Sequence, residues 1–113
     1  MSETFNALLA ERLKDCEFAR HFAAESARIA AIDAVLNQLD DAREASNLTK
    51  AQLARAIGSD PSVVRRLLSA QTVNPTLATV AELAAALGLK VTLTPMSAEE
   101  RKRITEPMLT ATG

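Results

Sequence analysis

The sequence predicts an all-α fold, a small helical bundle with a helical extension before it and one short strand after it. Three observations carry this. Apolar residues recur at helical spacing over most of the chain, Gly58 and Gly88 punctuate the pattern where helices should stop, and β-branched alternation is confined to one stretch, KVTLT at Lys90–Thr94. The expected organisation is a helical extension over 1–30, a helical domain over 31–89, a strand over 90–95, and a short helix with a loose tail over 96–113.

The chain opens with a short amphipathic piece in which Phe5, Leu8, Leu9 and Leu13 share a face. Asp15 then offers an N-cap for a long helix running to about Arg43, with a stripe of Phe18, Phe22, Ile29, Ile32, Leu36 and Leu39 and Val35 at its border. The lower part, Ile32 to Leu39, closes a core with Leu53, Ile57, Val64, Leu67, Leu83 and Leu87. The upper part needs another surface. Phe5, Leu8, Phe18 and Phe22 are open to three uses: an intramolecular clasp, pairing with a second copy, or docking a different protein through an amphipathic face. Glu11, Asp15, Glu17 and Glu25 would suit a basic partner.

Thr49 is a favoured N-cap, and Lys50 to Ile57 places Leu53, Ala54 and Ile57 on one face of a short helix. Gly58 ends that helix, because glycine enters the left-handed region without the cost other residues meet. A second helix follows almost at once. Asp60 is its N-cap and Pro61 its first residue, where a missing N–H breaks no intrahelical bond. Val64, Leu67 and Leu68 point inward, which leaves Ser62, Arg65 and Arg66 outward, groups suited to phosphates and base edges in a major groove. A fourth amphipathic helix follows and ends at Gly88.

These features together resemble the lambda-repressor-like, or XRE-family, helix-turn-helix domain. The resemblance covers Leu48 to Leu89: LTKAQLARAIG for one helix and its turn, SVVRRLL for the recognition helix, and NPTLATVAELAAALGL for the connection and fourth helix. It implies sequence-specific binding of double-stranded DNA. Carried over position by position, it implies a phosphate contact at Lys50, groove-facing roles for Pro61, Ser62, Arg65 and Arg66, and a backbone-tracking loop at Asn74. Two departures from the family pattern matter, at Asp60–Pro61 and at Leu68. Asp60 and Pro61 replace a hydroxyl or longer polar residue, which reduces expected base reading at the front of the helix, and Leu68 replaces an acidic or polar one.

Charge distribution agrees with a DNA ligand although the net charge is only −1. Residues 1–46 carry five basic and nine acidic groups, residues 47–90 five and two, and residues 91–113 three and three. The basic excess lies in the segment assigned to DNA. An excess of three is small, and affinity grows with each phosphate neutralised, so a dimer reading two half-sites is expected. The strand supplies a join. KVTLT cannot satisfy its own backbone alone, and pairing with the same strand of another copy through Val91, Thr92 and Leu93 would do so.

Other classes are disfavoured. Three Phe with no Tyr or Trp argue against single-stranded nucleic acid, which is held by stacking. There is no Ser/His/Asp set, glycine-rich phosphate loop or pair of ligand-spaced His or Cys residues, so neither an enzyme nor a metal or other cofactor is expected. Cys16 reads as a small apolar residue and His21 as a surface or interface residue. With no membrane-length apolar run and no signal-like start, the expected location is the cytoplasm.

Ser97 followed by AEERKRI reads as a capped short helix, and PMLTATG as a loose tail. With its N-terminal extension and following strand, the chain resembles bacterial antitoxins of type II toxin-antitoxin systems, which repress their own operon and bind a small, basic ribonuclease toxin. The alternatives are a stand-alone, phage-like transcriptional regulator and a protein-interaction adaptor that has lost DNA affinity.

Overall fold

A computed structural model of the 113-residue chain describes residues 3–12, 16–69 and 74–110. The order is α1 (Glu3–Arg12), α2 (Cys16–Ala45), α3 (Lys50–Ala56), α4 (Pro61–Leu68), α5 (Leu77–Ala86), α6 (Ala98–Glu100), a π-helical turn (Arg101–Thr105) and α7 (Glu106–Thr110). Leu13 and Asp15, the expected stripe member and N-cap, lie outside the described residues. The chain divides into two compact units, one of residues 1–30 and 94–113 and one of residues 31–93.

Unit 31–93 holds the core. Leu36 and Leu39 from α2, Leu53 and Ala54 from α3, Val64, Leu67 and Leu68 from α4, and Val80, Leu83 and Ala84 from α5 are all buried. Ile32, Ile57 and Leu87 pack partly buried against them. α3, α4 and α5, of seven, eight and ten residues, are too short to persist alone, so this shared apolar burial is what holds them folded. Ala54 has no exposed surface, consistent with a close approach that a larger side chain would prevent.

Three helix ends in this unit close in one way. After α3, Gly58 at φ +66° donates to the Arg55 carbonyl at 3.2 Å and Ser59 N–H to the Ala54 carbonyl at 2.9 Å. After α5, Gly88 at φ +75° donates to Ala85 at 3.1 Å and Leu89 to Ala84 at 2.7 Å. After α2, Asn47 takes the glycine's part at φ 57°, with its N–H on Glu44 and that of Leu48 on Arg43. This paired pattern satisfies carbonyls a helix end leaves open. It also carries α2 to Ala45, two residues past the expected end, because asparagine enters the left-handed region at less cost than other residues with a side chain. Arg43 braces that corner, its Nε on Asp40 Oδ1 at 2.9 Å and a terminal nitrogen donating to the Leu48 carbonyl at 2.7 Å.

The expected strand at KVTLT is not formed. Residues 89–97 have no regular structure, and no strand occurs among the described residues. A strand exists only through a ladder with a second extended segment, and the described chain offers none. Backbone groups of Lys90–Met96 accordingly make no backbone hydrogen bond among the described residues.

In unit 1–30 and 94–113, α1 and the first half of α2 carry the expected apolar positions, with the Phe18 and Phe22 rings stacked at 6.2 Å. Ser97 caps α6 as expected, through a reciprocal box with Glu100. The tail expectation needs correction, since Glu106–Thr110 is helical. The reason lies just upstream: Glu106 N–H bonds to the Arg101 carbonyl, five residues back, so the helix is widened where Pro107 follows. Proline in a helix clashes with the carbonyl four residues back, and a π turn relieves that crowding. Thr105 Oγ1 lies 3.5 Å from Met96 Sδ across the same turn. Among the described residues no helix is long and apolar enough to cross a membrane.

Candidate nucleic-acid interface

α4 is positioned from both ends. At its start the Asp60 carboxylate accepts from Ser62 N–H at 2.8 Å and Ser62 Oγ–H at 2.7 Å through the same Oδ1 atom, with Pro61 in the first turn. These bonds, the backbone one first, hold the Asp60 carboxyl below its ordinary range, and the positive Arg65 adds to the effect. On one side Val64, Leu67 and Leu68 are buried against α2, α3 and α5. Burying that side turns Pro61, Ser62, Val63, Arg65 and Arg66 outward, all exposed.

α3 stands before it with Thr49 as N-cap. Thr49 Oγ1 accepts from Gln52 N–H at 3.0 Å, and Gln52 Oε1 accepts from Thr49 N–H at 2.8 Å. Lys50, the first residue of α3, reaches across to α4, where its Nζ donates to Ser69 Oγ at 3.2 Å. Ser69 in turn donates to the Arg65 carbonyl. An ammonium at the start of one helix is therefore tethered to the end of the next, fixing a positive charge at the flank of the α4 face. Asn74, exposed, precedes Pro75 and the α5 cap, where Thr76 Oγ1 accepts from Thr79 N–H at 3.1 Å.

Of the expected contact residues, Pro61, Ser62, Arg65 and Arg66 thus lie on one exposed face, with Lys50 at its edge and Asn74 in the loop before α5. Two participants were not anticipated. Val63 is exposed beside Ser62, an apolar group suited to a thymine methyl. Its position, three residues before Arg66, was the available signal. Ser69 was the second, and nothing in the spacing shows that Lys50 would find it.

Residues 39–93 match the family model described as helix-turn-helix. The match spans 55 of the 113 residues, a little under half of the chain, and supports the XRE-like DNA-binding class for that segment. The matched segment supports a DNA-binding transcriptional regulator, with α3, the Gly58 turn and α4 as the bihelical unit. Neither the curated proteins nor the solved structures contain a significant match to the chain.

The other expected groups are placed as follows. Phe5 and Leu8 on α1 and Phe22 on α2 are exposed, and Phe18 is half-buried. Val91, Thr92 and Leu93 are exposed in the segment after α5, Leu93 almost completely at 99%. Cys16, expected to be buried or half-buried, is exposed at the start of α2. Among the described residues no cluster of His, Cys, Asp or Glu is arranged to hold a metal ion.

Proposed function

We propose that the helix-turn-helix chain is a sequence-specific repressor of double-stranded DNA that acts as a homodimer, and that it is the antitoxin of a toxin-antitoxin operon. The observation that carries the repressor reading is the α4 face. It sets Ser62, Arg65 and Arg66 outward on a helix whose other side is anchored by three buried residues, the arrangement in which a recognition helix enters the major groove.

Dimerisation is supported by the segment after α5. Its backbone from Lys90 to Met96 makes no backbone bond among the described residues, Leu93 is fully exposed, and beside it opens an apolar cleft of about 440 Å³ walled by Ile32, Val35, Leu77 and Val80. Knob and cleft on one surface are self-complementary, as a two-fold contact requires, and pairing of two such segments would satisfy the open backbone groups. The modest basic excess of the domain supports the same conclusion, because two copies double the phosphate contacts. The antitoxin role is supported by the resemblance in one part of that arrangement, a helical extension before a helix-turn-helix segment, and by the exposed apolar residues Phe5, Leu8 and Phe22, which suit a partner's groove.

A gel shift with the DNA upstream of the chain's own gene tests this, with and without the product of the adjacent gene. The expected result is a retarded complex whose affinity falls steeply with salt and changes when the partner is added. Arg65→Ala and Arg66→Ala should each weaken it by about tenfold with unchanged melting temperature. Sedimentation at micromolar concentration should show a dimer that Leu93→Asp converts to monomer. Binding unaffected by both arginine changes refutes the groove assignment, and a monomeric wild type refutes the dimer.

A further inference from the structure

The front of α4 carries a chemical selectivity that the helix-turn-helix class does not specify. Ser62 Oγ–H donates to Asp60 Oδ1, so the hydroxyl proton is committed inside the pair and Ser62 presents only lone pairs outward. The Asp60 carboxylate, capping the helix through Ser62 N–H, is ionised and has no proton to donate. A free serine hydroxyl can turn to donate or accept against any base. This pair can only accept. Further along the same face, Arg65 and Arg66 can only donate.

The bases sort accordingly in the major groove. Guanine shows two acceptors, thymine an acceptor and a methyl group, adenine an acceptor beside its amino group, and cytosine the N4 amino donor with no acceptor next to it. Two oxygen acceptors placed over guanine or thymine would face lone pairs without a proton between them. Over adenine one of the two would be opposed. Only cytosine offers a donor with no opposing lone pair. The arginines match guanine O6 and N7 in the complementary sense.

We propose that Asp60, together with Ser62, is a specificity-determining acceptor that selects a cytosine beneath the front of α4, with Arg65 or Arg66 taking a guanine. This rests on the DNA-binding reading and makes Asp60 a reader of sequence. The acidic residue, which reduces affinity for phosphate in general, is here the element that discriminates among bases.

The test is selection of bound duplexes from a random pool by the full chain, followed by competition binding. The expected sites contain an invariant cytosine near a guanine, and changing that C·G pair to T·A weakens wild-type binding by about tenfold or more. Asp60→Asn keeps a side-chain oxygen for the helix cap, since asparagine caps as well as aspartate, but adds a donor. It should cut the T·A penalty to below about twofold while leaving preferences at other positions intact. Melting temperature verifies that the variant is folded. Enriched sites without a cytosine, a cytosine preference that survives Asp60→Asn, or a uniform loss across all sequences each overturn the proposal while DNA binding stands. Bound duplexes without any preferred sequence overturn the proposal as well, and recovery of no bound duplex removes both it and the DNA-binding reading.

Discussion

Leu39 and Ile29 belong to one apolar stripe on one helix, yet Leu39 is 3% exposed and Ile29 is 49% exposed. Within residues 31–93 the helical stripes meet partners, since α3, α4 and α5 bring Leu53, Val64 and Leu83, all without exposed surface, while Leu77, Val91 and Leu93 outside those stripes stay exposed. Residues 1–30 leave Phe5, Leu8, Phe22 and Ile29 facing outward. The sequence pattern is of one kind in both places. What differs is whether a second surface arrives, and periodicity specifies a face without specifying what covers it. The helix-turn-helix region covers the core stripes of its helices, while the preceding region leaves its stripe facing outward.

The largest test of this contrast is truncation at matched positions. Leu53→Ala should cost about 2–5 kcal/mol in chemical denaturation, because it leaves a cavity among α2, α3 and α4, whereas Ile29→Ala should cost less than about 1 kcal/mol. An equal loss at Ile29 would mean that its face is covered in solution, and the contrast would fail. A smaller effect is expected at the turn. Gly58→Ala forces a side chain into φ +66° at a cost of about 1–2 kcal/mol, and since nothing lies within 4 Å of the added Cβ the loss is backbone strain alone. A loss as large as that of Leu53→Ala would show that the turn carries packing as well.

The smallest effect concerns pH. Asp60 has a depressed folded pKa, so the unfolded chain binds its proton more readily and stability rises with pH through that range. The contribution is present above the ordinary carboxylate pKa and is lost as pH falls through the lower folded value. Melting curves between about pH 2 and pH 5 should therefore show an acid loss that is shallower in Asp60→Asn. Identical slopes would mean that the bonds from Ser62 do not persist in solution.

Much of the domain was legible because its signals are local. Thr49, Asp60 and Ser97 cap the helices expected of them, Gly58 and Gly88 close the turns, and Leu53, Val64 and Leu83 are buried as spacing indicates. Asn47 was missed because asparagine marks a helix end less strongly than glycine, and the helix through Pro107 because proline reads as a stop unless a π turn makes room. The strand at KVTLT fails for a related reason. Its composition favours extension, but a ladder needs a neighbour that composition cannot supply.

By itself, then, the sequence determined the all-α class, the caps, the two glycine turns and the two arginines facing away from the apolar side of α4, because each depends on residues within a turn or two of one another. The tertiary structure decided which apolar stripes are covered, the Lys50 to Ser69 tether across two helices, and the exposure of Val63 beside Ser62. Those depend on surfaces distant in the chain meeting at distances of a few ångströms, a relation that periodicity along one helix does not encode.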